Sequence, residues 1–85
     1  MRKYFRRAAE SDLGVGLSFF EFDGERAVRQ VEIYGEQWFD SRTAHHPEIG
    51  PGLVDQPLFD LGMLEEEEIS AEEFETVWQE ALRRQ

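Results

Sequence analysis

One stretch near the end of the chain decides the fold: residues 69–84, with the sequence ISAEEFETVWQEALRR. Ser70 is a favoured helix N-cap, and Glu73 lies three residues later, which is the spacing of a capping box. Ile69 and Phe74 have the spacing of a hydrophobic staple around that cap. The segment therefore predicts an α-helix that begins directly after Ser70.

The predicted helix has one apolar face. Apolar residues recur at i, i+3, i+4, i+7 and i+8, a pattern typical of an amphipathic helix. These residues are Phe74, Val77, Trp78, Ala81 and Leu82. Acids crowd the first turn and arginines the last, as the helix dipole favours. Such a face must be buried against another layer of structure.

The middle of the chain indicates β-strands. Residues 17–22 are rich in aromatic side chains and end at Asp23-Gly24, a strong hairpin signal. The returning strand is predicted over residues 27–34. Because side chains alternate along a strand, one set should face the core. We expect that set to be Ala27, Arg29, Val31 and Ile33.

Two more strands are predicted beside this hairpin. Residues 35–36 make a short turn into residues 37–40, and residues 4–7 form a further strand, separated by a glycine-containing loop at 14–16. The predicted fold class is therefore α+β, in a single domain of 85 residues. A small antiparallel sheet of three to five strands is packed by a C-terminal α-helix.

A long central loop is predicted over residues 41–62, which contain three prolines and three glycines. Loops of this length are often functional. Adjacent histidines, His45 and His46, lie within it, but zinc sites usually need three or four ligands at helical or turn spacings. We expect exposed histidines without a metal, and no cofactor. A small ligand-binding domain or enzyme that uses this loop is the alternative function.

The charge is unevenly distributed. The net charge is −10, and residues 43–82 hold eleven acids and no Lys or Arg. This balance argues against nucleic-acid binding, which depends on clustered Lys and Arg. The simpler explanation of this acidic region is a solvated face that keeps the protein in solution. The more specific explanation is a surface that binds a basic protein. No activating catalytic motif is present, so the sequence favours a non-catalytic interaction protein, immunity-like or antitoxin-like.

Five residues are the predicted partner contacts. Four consecutive acids form either a short edge strand or an exposed turn, and have no evident local role. One ring of the adjacent Trp38-Phe39 pair must point away from the core if the segment is a strand. The predicted contact residues are Glu65, Glu66, Glu67, Glu68 and Trp38.

Composition also bears on location. The chain has no cysteine, which fits a reducing cytoplasm. The basic residues at its start are followed by polar ones, so we expect no signal peptide. The longest charge-free aromatic run, residues 13–20, is too short for a membrane helix. We expect a cytoplasmic protein, with homodimer formation left open.

Two segments carry a family resemblance. Residues 29–34 (RQVEIY) and 68–78 (EISAEEFETVW) are similar to the central strand and capped helix of a family of short uncharacterised bacterial domains of unknown function. The similarity covers most of the chain outside the central loop. It implies a β-sheet followed by a helix, and a bacterial source. It implies no activity, cofactor or catalytic residue.

Overall fold

The described part of the protein consists of one antiparallel sheet, one α-helix and a short 3₁₀ turn. The computed structural model describes residues 1–41, 62 and 65–84. The described elements are β1 (Arg2–Ser11), β2 (Gly14–Asp23), β3 (Arg26–Tyr34), β4 (Gln37–Asp40), a 3₁₀ turn (Glu65–Glu67), β5 (Glu68–Ile69) and α1 (Ala71–Arg83). The five strands lie in the order β4-β3-β2-β1-β5. The predicted α+β class, with a C-terminal helix packed on the sheet, is confirmed. The predicted central loop lies almost wholly outside the described residues.

Both predicted hairpins are confirmed, with the first turn one residue later than the predicted Asp23-Gly24. Asp23 pairs with Arg26, so the turn between β2 and β3 consists of two residues and begins at Gly24. Tyr34 pairs with Gln37, so the next turn begins at Gly35. Both glycines have a positive φ, near +62° and +63°, which other residues rarely adopt. Because glycine adopts a positive φ easily, the sequence alone predicts a turn near each of these two positions.

The glycine-containing loop predicted at 14–16 is wrong. These residues belong to β2, and the turn that joins β1 to β2 is Asp12-Leu13. Gly16 is needed for close approach, because a Cβ there would lie 2.0 Å from the backbone oxygen of Ile33. Glycine occurs both in turns and where two backbones approach closely, and the sequence alone does not distinguish these roles at position 16. The position of Ile33 in β3 does.

The helix covers one face of the sheet. Its Ser70 cap is confirmed, since the Ser70 hydroxyl accepts a hydrogen bond from the Glu73 backbone N–H at 3.0 Å. The predicted apolar face is also confirmed. The buried residues of the cluster between helix and sheet are Phe19, Val31, Phe74, Trp78 and Ala81. Partly buried residues, including Val77 and Leu82, pack against this cluster.

A second apolar cluster lies on the other face of the sheet. Phe19 and Phe20 are consecutive in β2, so their side chains point to opposite faces. Phe20 belongs to a cluster with Phe5, Phe22 and Ala27. The sequence placed Ala27 on the same face as Val31, and that assignment is wrong.

A β-bulge explains the error at Ala27. Arg29 pairs with Glu21, whereas Ala27 pairs with Phe22, so Val28 is an extra residue in β3. A bulge of one residue reverses the alternation of the strand beyond it. Arg29 therefore keeps its place on the helix side, and Ala27 joins the opposite cluster.

The four consecutive acids form both of the structures that the sequence left open. Glu65, Glu66 and Glu67 make a 3₁₀ turn. Glu68 and Ile69 form the edge strand β5, which pairs with β1 at Phe5 and Tyr4. The short strand places the helix start at this edge of the sheet.

Trp78 should be the most sensitive helix residue to truncation. It is 7% exposed and its ring stacks on Phe74 with the centroids 6.3 Å apart. We expect Trp78→Ala to lower the free energy of unfolding by about 3–5 kcal/mol, the usual cost of removing a buried aromatic ring. Chemical denaturation monitored by circular dichroism measures this. The exposed neighbour Gln79→Ala should change it by less than about 0.5 kcal/mol, and equal losses in the two variants would contradict the packing.

Candidate functional site

Arg29 occupies the centre of the polar network on the helix side of the sheet. Its guanidinium lies 5.1 Å from the ring centroid of Phe74 and 5.0 Å from that of Trp78. A guanidinium close to aromatic rings is attracted by their π-systems. Strand β3 is thus joined to α1 by a charged group at the border of the apolar cluster.

Glu21 is the buried counter-charge of this network. The residue is 5% exposed, and its carboxylate accepts a hydrogen bond from Arg29 Nε. Arg2 Nη1 and the Tyr4 hydroxyl also donate to it, each at 3.2 Å. Burial raises the pKa of the Tyr4 hydroxyl, and the adjacent Glu21 charge raises it further. The buried carboxylate therefore has the donors that a buried charge needs.

Glu75 completes the network from the helix. Arg29 Nη1 and Nη2 donate to its two carboxylate oxygens at 3.2 and 2.8 Å, a bidentate pair. These hydrogen bonds lower the pKa of the Glu75 carboxyl. Because both acids are committed to Arg29, we interpret the Glu21–Arg29–Glu75 set as a structural network. The sequence placed Arg29 on the core face but did not show its partners.

Other acids of the second half of the chain pair with arginines. Glu73 binds Arg6 at 3.0 Å and Glu67 binds Arg7 at 3.3 Å, both in β1. Within the helix, Glu80 pairs with both Arg83 and Arg84. Glu67 therefore has a local role, although the sequence predicted it as a partner contact.

Among the acids of residues 65–84, four exposed ones have no arginine partner, and we call them the acidic patch: Glu65, Glu66, Glu68 and Glu72. They lie within eight consecutive residues, from the 3₁₀ turn to the first turn of α1. None of their side chains makes a hydrogen bond or an ion pair with another described residue. Three of the four belong to the predicted contact set. Their carboxylates are available to a basic surface.

Trp38 has a different environment from the one expected of a contact residue. It is half-buried and packs against the cluster under the helix. The Arg84 guanidinium lies 4.5 Å from the centroid of its ring. Its neighbour Phe39 is also half-buried. The role of Trp38 as a partner contact stays a prediction.

Glu32 is the chemically distinctive carboxylate on the face opposite the helix. It is half-buried and accepts hydrogen bonds from the Tyr34 hydroxyl at 2.9 Å and from Gln30 Nε2 at 3.1 Å. Burial raises the pKa of its carboxyl, and the two hydrogen bonds oppose that effect. Sequence reasoning placed Glu32 away from the core side and gave it no role. A carboxylate in this setting can exchange a proton or accept a cation.

The remaining sequence predictions concern a metal site and a membrane-spanning helix. His45 and His46 lie outside the described residues, so their roles stay predictions. Within residues 1–41, 62 and 65–84, no group of three potential ligands is arranged to hold a metal ion. In the same part of the chain, the helix is too short and too polar to span a bilayer.

Comparisons of the chain with protein-family models, curated proteins and solved structures find no significant match. The resemblance to short bacterial domains therefore stays a prediction. Function has to be argued from the residues of this chain alone.

The Arg29 network predicts that removing the cation alone destabilises the fold more than removing the cation together with the buried carboxylate. We expect Arg29→Met to destabilise the fold by about 3 kcal/mol, because it leaves the buried Glu21 carboxylate without its inner cation. The double variant Glu21→Gln/Arg29→Met should be more stable than Arg29→Met alone, since no uncompensated charge remains. Urea denaturation of all variants measures this. Arg2→Met, which removes the more exposed cation, should cost about 1 kcal/mol or less. A double variant no more stable than Arg29→Met would contradict this account.

Glu32 predicts a pH-dependent response. Since its pKa is raised in the folded state, its ionisation destabilises the fold as the pH rises through that value. Glu32→Gln should therefore be more stable than the parent at pH 7. This advantage should vanish below about pH 4, where the carboxyl is protonated in both states. Thermal unfolding at the two pH values tests this, with Glu36→Gln as the control for net charge. A pH-independent difference would overturn the assignment.

Proposed function

We propose that the protein is a non-catalytic protein-interaction module that uses its acidic patch to contact a basic protein. One observation carries the proposal. The side chains of Glu65, Glu66, Glu68 and Glu72 are exposed and make no hydrogen bond or ion pair with another described residue, whereas those of Glu67 and Glu73 nearby pair with arginines of β1. The fold has a use for the second group, and we assign the first group to an external partner.

The location of the patch supports this proposal. Glu68 lies in the edge strand β5, and Glu72 lies in the first turn of α1. Regular elements hold both backbones in place, so these carboxylates are presented on a rigid support. A binding site on rigid elements loses less conformational entropy when a partner binds. The module would act by occupying a basic surface, in the manner of an immunity protein or an antitoxin.

The patch should act mainly on the rate of association. Exposed charges at the rim of an interface steer a partner of opposite charge and speed its encounter. They add little to the stability of the complex, because water and salt screen them. The expected signature is fast association that slows with ionic strength.

The test compares two triple variants with the same loss of charge. Glu65→Gln/Glu66→Gln/Glu68→Gln removes three carboxylates of the patch. Glu10→Gln/Asp12→Asn/Glu36→Gln removes three exposed carboxylates outside the patch, one in β1 and two in the turns at residues 12–13 and 35–36. Glu67 is kept because it binds Arg7. Parent and both variants serve as parallel baits in a lysate of the native host, and retained proteins are quantified by mass spectrometry.

We expect a basic protein that the parent and the control variant retain and the patch variant loses. With that protein purified, stopped-flow kinetics should show association about tenfold slower for the patch variant at low salt, and a weaker salt dependence. Equal association rates for the two triple variants would refute the role of the patch. Retention of no basic protein by the parent would refute the proposed partner class.

A further inference from the structure

Three exposed apolar side chains form a strip on the helix side of the β1–β2 hairpin. Val15 and Leu17 alternate with their neighbours in β2 so that they point to the same face as Phe19, which the helix covers. Ala8 of β1 is paired with Leu17 and shares that face. Val15 is 74% exposed, Leu17 is 40% exposed, and Ala8 is exposed as well. We call Ala8, Val15 and Leu17 the arm strip.

The arm strip lies beyond the part of the sheet that packs under the helix. Phe19 and Val31 belong to the buried cluster there, and no member of the arm strip does. The pairing of β2 with β3 begins at Leu17, opposite Ile33. Residues 9–11 and 14–16 of the hairpin therefore extend past the paired part of β3 as a two-stranded arm.

The exposure of these side chains indicates a contact surface. A sheet face that meets only water usually alternates with polar side chains on the wet side. Here both large side chains on the exposed end of β2 are apolar, and Val15 is among the most exposed large apolar residues of the described chain. Adjacent exposed apolar side chains of this kind mark interaction sites more often than single ones do.

The charge of the arm selects its occupant. Residues 6–17 contain two arginines, Arg6 and Arg7, and two acids, Glu10 and Asp12, so this segment is neutral, whereas the chain has a net charge of −10. Two copies of an acidic chain repel each other least where their surfaces are neutral. A basic protein is attracted to the acidic patch and not to this neutral surface. The arm strip therefore suits a second copy of the chain.

We propose that two copies of the chain associate face to face through the arm strip, about a two-fold axis perpendicular to the strands. The strands of the two arms then run in opposite directions, and Val15 of one copy contacts Leu17 of the other. Side chains of two packed sheets interdigitate across a spacing of about 10 Å. The contact is isologous, as in most two-fold dimers, and two exposed strips become one apolar interior.

The charges at the ends of the arm are complementary in this arrangement. Arg6 lies at the inner end of the arm, where it binds Glu73 at 3.0 Å and keeps half of its side chain exposed. Asp12 lies at the tip, is exposed, and makes no side-chain hydrogen bond or ion pair with another described residue. The register that places Val15 on Leu17 brings Arg6 of one copy to the level of Asp12 in the other. A guanidinium has five N–H donors, so it can bind both carboxylates.

Sedimentation equilibrium tests the dimer. An interface of this size buries less than about 1,200 Å², so we expect a dissociation constant on the order of 100 μM. Val15→Lys should weaken the dimer by about tenfold or more, because it places an ammonium group in the apolar interior. In the monomer the new lysine lies opposite Glu10, a favourable cross-strand pair. Gln37→Lys makes the same change of charge at an exposed position of β4 and should leave the dimer intact.

Isotope-filtered NMR tests the geometry. A mixture of labelled and unlabelled chains reports only the contacts between copies. We expect cross-peaks between the methyl groups of Val15 in one copy and those of Leu17 in the other. Leu82, which packs against the cluster at the end of the helix, should give none.

Three results would overturn the proposal. They are a monomer at every concentration up to about 1 mM, equal dissociation constants for the two lysine variants, and intermolecular cross-peaks that do not involve the arm strip. Circular dichroism and the unfolding midpoint of each variant establish that the fold is retained. The acidic patch is unchanged in both variants, so failure here leaves the proposed function standing.

Discussion

The packing of the helix depends on Arg29, a cation that lies between a buried carboxylate and two aromatic rings. Glu21 in β2 could not be buried without a cation, and Arg29 in β3 supplies it. The same guanidinium is close to the rings of Phe74 and Trp78 and forms a bidentate pair with Glu75 of α1. Two strands and the helix therefore share one group whose geometry all of them must satisfy. Apolar burial drives the layers together, and this network selects how the helix lies.

The uneven charge of the sequence is partly neutralised by the fold. Arginines from β1 and β3 pair with acids of the second half, so that Glu67, Glu73 and Glu75 are each bound to a residue far away in sequence. Individual exposed pairs contribute little to stability. The pairs divide the acids into two groups. Acids with an arginine partner connect the helix and the 3₁₀ turn to the sheet, and the acids of the acidic patch face solvent. That distinction is the basis for assigning the patch to an external partner.

Local signals in the sequence determined the helix, its Ser70 cap, its apolar face and the turns at Gly24 and Gly35, because each depends on residues within a few positions of one another. The tertiary structure alone decided three things. The bulge at Val28 moved Ala27 to the other face, the approach of Ile33 made Gly16 a strand residue, and the arginines of β1 and β3 selected which acids stay exposed. Each of these depends on which strands become neighbours and in what register. That pairing is settled by burial and hydrogen bonding across the whole sheet, and no local window of sequence contains it.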